Sequence, residues 1–248
     1  MSSVPKLIAA KAVESSDRSP FSSPDRTPWA AALDSPESLM GPTAFGNVWG
    51  DIIRGRLRPL REASTDRSVC LFGQAADRPC ALVPDDASLV VRVLCGEPRK
   101  ALAAEMGIAL STATGRFLRA LDKLGLGGRN IPLPLVLAAQ SWAGADVIPT
   151  ARTAWFDCEG AHCLALSVPR PSTERLAVLT RGQQEVALWL IEGMTRYEIA
   201  NLRRTSVHTV ARQFHSIYNT LRVTGRYELI RRVVELDCFS EPRGPNPP

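Results

Sequence analysis

The sequence predicts a mainly α chain made of two four-helix units, each preceded by a short β-hairpin. Three observations lead there. Apolar residues between Leu179 and Val233 recur at helical spacing in four runs, each bounded by cap or turn residues. The stretch beginning at Leu82 repeats the stretch beginning at Leu179, an offset of 97 positions that also carries Gly96 onto Gly193. Ahead of each copy stand two β-prone runs, Leu57–Arg61 with Val69–Phe72 and Thr153–Phe156 with Cys163–Val168, the latter pair joined by Glu159-Gly160.

Composition narrows the function classes. The 248 residues suffice for one large or two small cores. No eighteen-residue apolar run is present, and Met1–Glu14 lacks a secretory apolar segment, so a cytoplasmic protein with no membrane association is expected. The six cysteines form no C-x-x-C pair, which gives no ground for a disulfide framework. Cys158, His162 and Cys163 lie close together, but zinc needs four ligands and no second pair stands nearby. A hairpin carrying small apolar thiols is the expectation, with no metal and no cofactor. There is no phosphate loop and no G-x-S-x-G elbow, so an enzyme is not expected. A net charge of +5 suits an acidic partner.

Taken in order, residues 1–44 hold three Ser-Pro pairs and read as a disordered arm. A short amphipathic helix follows, with Phe45, Val48, Trp49, Ile52 and Ile53 on one side. Residues 45–146 then form the first unit, 147–238 the second, and 239–248 a Pro-rich disordered tail. Across the offset, Leu94 falls on Ile191, Leu102-Ala103 on Ile199-Ala200, Thr112 on Thr209, Phe117 on Phe214, Leu124 on Leu221 and Arg129 on Arg226.

In the second copy, Thr180 with Gln183 forms a capping box, and Val186, Leu190 and Ile191 give a buried stripe ended by Gly193. Thr195 with Glu198 is a second box, opening a short helix that buries Ile199 and Ala200. Ser206 starts a third helix with Val210, Phe214, Ile217 and Leu221 inward, and a fourth begins near Arg226 with Leu229, Ile230 and Val233 inward. Such short helices with tight turns fit a helix-turn-helix unit. With Val210 and Phe214 inward, Ala211, Arg212 and His215 share the outward face. Arg212 suits guanine N7 and O6, Ala211 a thymine methyl, and Ser206 and Thr209 phosphates. Eight arginines fall between Arg196 and Arg232 (Arg196, Arg203, Arg204, Arg212, Arg222, Arg226, Arg231, Arg232), against Glu198 and Glu228.

These residues also carry a family likeness. The segment from Leu179 to Val233 resembles the LuxR-type (FixJ/GerE-like) DNA-binding domain. The shared positions are Leu179-Thr180, Glu185-Val186, Glu192-Gly193, Glu198-Ile199-Ala200, His208-Thr209-Val210, Ile217-Tyr218, Arg226 and Glu228-Leu229. It departs at Arg203-Arg204-Thr205, where the family usually has an apolar residue, Gly and Ile; a non-Gly residue there implies a strained turn. The resemblance implies that helix 206–221 lies in a major groove of double-stranded DNA. The candidate contact set is Arg196, Tyr197, Thr205, Ser206, His208, Thr209, Ala211, Arg212, His215 and Arg226. It further implies a nucleoid-associated transcriptional regulator, with RNA polymerase as a possible partner. Dimerisation would run through the fourth helix near Tyr227–Leu236, although two copies in one chain also allow an internal pseudo-dimer.

The first copy resembles the same family less faithfully. It keeps Gly96, Lys100, Leu102-Ala103, Met106-Gly107-Ile108, Thr112, Phe117, Lys123-Leu124-Gly125 and Arg129. Thr114, Gly115 and Leu118 replace Ala211, Arg212 and His215, and Pro132 and Pro134 disturb the start of its fourth helix. Two readings stand. This copy either contacts DNA through Arg99, Lys100, Ser111, Thr112, Thr114, Arg116 and Arg119, or it has become a packing and dimerisation module. For the whole chain, a sequence-specific regulator is the leading expectation, and a protein-binding co-regulator that does not read DNA is the alternative.

Overall fold

The computed structural model describes residues 42–238 apart from 65–67, 78–79, 128–129, 145–150, 159 and 172; most of the expected arm (1–44) and the whole tail (239–248) lie outside the described residues. The helices are α1 (Pro42–Ile53), α2 (Pro84–Leu94), α3 (Arg99–Glu105), α4 (Leu110–Lys123), α5 (Leu133–Trp142), α6 (Arg181–Ile191), α7 (Arg196–Leu202), α8 (Val207–Leu221) and α9 (Arg226–Cys238). Among the described residues the strands are β1 (Leu57–Ser64), β2 (Ser68–Ala75), β3 (Arg152–Cys158) and β4 (Ala161–Pro169), and a 3-10 turn covers Thr173–Leu176. No described helix is long and apolar enough to cross a membrane.

The internal repeat is visible in the element boundaries. α2, α3 and α4 start 97 positions before α6, α7 and α8, and the first two pairs also end in step. The mainly α expectation holds in part: the helices and both hairpins are present, but the hairpins are not separate. They join into one antiparallel sheet of order β1-β2-β4-β3, in which β2 and β4 pair through Leu71↔Leu166 and Cys70↔Ser167. The architecture is therefore mixed, helices around a four-stranded sheet, and the order reads the same if the repeats are exchanged. A register shift between Pro59 and Arg61 bends β1.

One apolar core runs through both halves. Phe45, Trp49 and Ile52 of α1 are fully buried, and α1 packs along α5. Every residue of α5 from Leu133 to Gln140 is buried, the pattern of a helix wrapped on all sides. Its two prolines are initiators rather than a disturbance: Pro132 is the N-cap, Pro134 sits in the first turn, and neither position needs an intrahelical N–H. α5 lies against β2 and β4 on one side and against α2 and α9 on others. Its Gln140 amide donates to Leu94 O at 2.8 Å and Tyr227 O at 3.1 Å, linking the end of α2 to the start of α9. Arg231 of α9 donates to Cys95 O at 3.3 Å, and Asn130 donates to Gly193 O. Each half thus satisfies carbonyls at a helix end of the other.

The tight turns differ between repeats as the sequence implied. Gly107 has φ +64°, and a Cβ there would meet nothing within 4 Å. Arg204, 97 positions on, takes φ 51°. Gly107→Ala isolates the backbone penalty, and it is expected to lower unfolding free energy by about 1–2 kcal/mol. Denaturant titration checks this; no change in midpoint would mean the turn relaxes out of the left-handed region.

Candidate nucleic-acid interface

α7, the turn after it and α8 are fixed from within. Thr195 Oγ1 accepts the Glu198 N–H at 3.2 Å, and Glu198 accepts the Thr195 N–H at 2.8 Å, closing the capping box. Ser206 Oγ accepts the Thr209 N–H at 3.0 Å and starts α8. Val210 and Ile217 are fully buried, and Phe214 and Tyr218 pack against the core with rings 6.3 Å apart. Arg203 reaches Gln213 Oε1 at 3.1 Å and Gly182 O at 3.4 Å, while Gln183 donates to Ser216 Oγ at 2.9 Å. These bonds fasten α8 to the first turn of α6. Sequence reasoning counted Arg203 as one more surface arginine; its neighbours place it as a tie.

With that seam inward, the opposite face is set. Arg196, Tyr197, Ser206, His208, Thr209, Arg212 and His215 are exposed, Tyr197 at 67%, while Thr205 and Ala211 are half-buried. No Asp or Glu occurs in α8, and among the described residues Arg196, Arg204 and Arg212 lack a carboxylate within ion-pair distance. Asn219 donates to His215 Nε2 at 3.1 Å, steadying that ring on the surface. Nine of the ten candidate residues in this half therefore border one surface of α7, the turn and α8.

The tenth, Arg226, does not, and is withdrawn from the contact set. Its Nε donates to Leu190 O at 2.8 Å, and one Nη donates to Ile191 O at 3.0 Å and to Ile131 O at 2.9 Å. Its other Nη is buried without a partner, and burial pulls its pKa down. The guanidinium caps the carbonyl end of α6, where a cation offsets the helix dipole. Nearby, Arg170 holds Glu192 at 2.6 Å.

Glu62 of β1 faces the same cluster. Burial pushes its carboxyl up from 4.5 to about 7; Arg226 opposes the rise and Glu192 adds to it. A raised carboxyl pKa means stability is fully present below about 4.5 and is lost as pH climbs through about 7. The cost is about 3 kcal/mol at the upper end. Melts between pH 5 and 8 should show this decline, and Glu62→Gln should flatten it. An equally steep decline in that variant would place the titration elsewhere.

In the first half, Lys100, Ser111, Thr112 and Arg119 are exposed and Thr114 is half-buried. Arg99 lies over the Phe117 ring at 5.6 Å. Arg116 is removed from the candidates: it pairs with Asp86 at 2.7 Å and reaches Asp85 at 3.8 Å, both in the first turn of α2. Leu118, at 53% exposure, stands where His215 stands in the second half. The Cys158, His162 and Cys163 trio is divided by strand alternation. His162 bonds to Asp157 at 2.9 Å and stacks on Trp155 at 4.7 Å, whereas Cys163 points to the other face.

No protein-family model, curated protein or solved structure matches the chain.

Proposed function

We propose that the chain is a sequence-specific, double-stranded-DNA-binding transcriptional regulator that reads the major groove with α8. One observation carries this reading: the exposed face of α8 presents Arg212 and His215, with hydroxyls at its first turn and no carboxylate on the helix. A helix carrying donors for base edges at its centre and phosphate ligands at its N-terminal end has the layout of a groove reader. The likeness to LuxR-type domains points the same way. Packing of α9 against α5 and α2, with Leu229, Ile230 and Val233 buried inside the chain, favours an internal pseudo-dimer over a fourth-helix homodimer. Leu110 and Leu118, both about half exposed on α4, favour a protein-contacting role for the first half.

Site selection from random duplexes with the full chain tests the reading, followed by affinity at several salt concentrations. The enriched site is expected to bind with log K falling against log salt by about 0.9 per neutralised phosphate. Failure to enrich any sequence at low salt would reject it.

A further inference from the structure

We propose that the cleft at the end of α8 is a binding site for a small organic phosphate monoester. The cleft has a volume of about 250 Å³ and lies between the last turn of α8, the turn after it and α9. That is just below the usual range for ligand sites and suits a compact, metabolite-sized occupant. Among the described residues, Arg222, Arg231 and Arg232 line it against one carboxylate, Glu228, while Leu221 and Val223 form an apolar wall. Glu228 is engaged from within: it accepts the Thr224 N–H and the Thr224 hydroxyl, each at 2.7 Å. Arg231 donates to Cys95 O at 3.3 Å, which holds its guanidinium at the rim. Arg222 and Arg232 are exposed.

The internal repeat shows what the fold itself requires at this place. Leu124 and Leu126, 97 positions earlier, stand for Leu221 and Val223, and both are buried. The apolar wall is thus common to the two halves. The charges are not: Gly125, Ile131, Pro134 and Leu135 stand for Arg222, Glu228, Arg231 and Arg232. Gly125 makes the turn of the first half at φ +74°, whereas Arg222 takes φ 53°, where a side chain is strained. The first half closes the same turn and starts the corresponding helix without any of these arginines. Packing therefore does not account for them, and their convergence on one cleft points to an anionic occupant. Three guanidinium groups against one carboxylate leave two positive charges in excess. That excess matches the compact dianionic head of a phosphate monoester. A dicarboxylate separates its charges, and each phosphate of a DNA backbone carries only one. Guanidinium forks donate paired hydrogen bonds to phosphate oxygens, and the Leu221 and Val223 wall takes the organic part. The inference does not depend on the DNA reading.

Isothermal titration calorimetry of the full chain with phenyl phosphate, at fixed ionic strength, tests it. One saturable site per chain is expected, with inorganic phosphate binding more weakly because it has no organic part. Arg222→Gly, which gives the turn the residue type used by the first half, and Arg232→Gln should each weaken phenyl phosphate binding by about tenfold or more. Both positions are exposed, so the fold should survive either change. Arg119→Gln, at an exposed position on α4, should leave the binding as it is in the parent. Absence of saturable binding, no loss in the cleft variants, an equal loss in the Arg119 variant, or inorganic phosphate binding as tightly as phenyl phosphate would each overturn the proposal. So would cleft variants that lose affinity for duplex DNA while the parent ignores phenyl phosphate, because the cleft would then hold a backbone phosphate.

Discussion

Arg212→Ala combined with His215→Ala is expected to cut discrimination between the selected duplex and a random one by roughly two orders of magnitude or more, while leaving salt-sensitive binding to both. Both side chains are exposed on α8, and neither contributes to the Val210 and Ile217 seam that holds the helix in place. Their removal therefore leaves the fold intact and acts on recognition alone. A bidentate arginine–guanine contact is worth about 1–3 kcal/mol of discrimination, and a second lost base contact adds a similar amount. Specific affinity should fall by roughly two orders of magnitude or more, with the binding to random duplex changed little. Competition titrations with both duplexes separate the two quantities. Equal losses on both would make α8 a backbone contact, and no loss on either would move the reading surface elsewhere.

Arg226→Met is expected to cost about 3–5 kcal/mol of stability, the scale for taking one member from a buried charged network. The side chain supplies donors to Leu190 O, Ile191 O and Ile131 O, which join the end of α6 to the segment leading into α5. Methionine matches much of the stem but donates nothing, so these carbonyls lose those donors and Glu62 loses the cation that opposes its rise in pKa. Denaturant unfolding should show a lower midpoint. Arg226→Lys separates this role from a phosphate contact, since lysine keeps the charge but cannot span three carbonyls. A destabilised lysine variant fits the capping role; a lysine variant as stable as the parent would reject it.

Much of the local structure was legible because its signals are local. Thr195 with Glu198, Ser206 before Thr209, and Gly193 after Ile191 mark ends that the backbone obeys, and the 97-position offset predicts matching helix boundaries. The exposed face of α8 followed from Val210, Phe214 and Ile217 by periodicity alone. What escaped depends on partners distant in sequence. Pairing of β2 with β4 involves backbone groups that any residue possesses, so its only trace is the two-sided apolarity of Val69–Phe72 and Cys163–Ala165, read as ordinary hairpin strands. An arginine after a turn reads as surface charge until the carbonyls of Leu190 and Ile131 are placed beside it. Pro132 and Pro134 read as an obstacle, when the first turn of a helix is where proline belongs.

The shared sheet also bears on how the halves can be studied. Residues 148–248 alone would retain β3 and β4 but leave β4 without β2 and strip α9 of α5 and α2. A bare inner-strand edge of that kind templates association, so such a fragment reports on aggregation before it reports on DNA.

The seam between Leu71 and Leu166 has a kinetic meaning as well. Halves that meet by collision pair in proportion to the square of their abundance at low dose. Here the two halves are joined once, while the polypeptide folds, so dilution leaves the pairing of β2 with β4 intact. If the proposed regulator acts as an internal pseudo-dimer, its occupancy of a target would rise in direct proportion to its abundance.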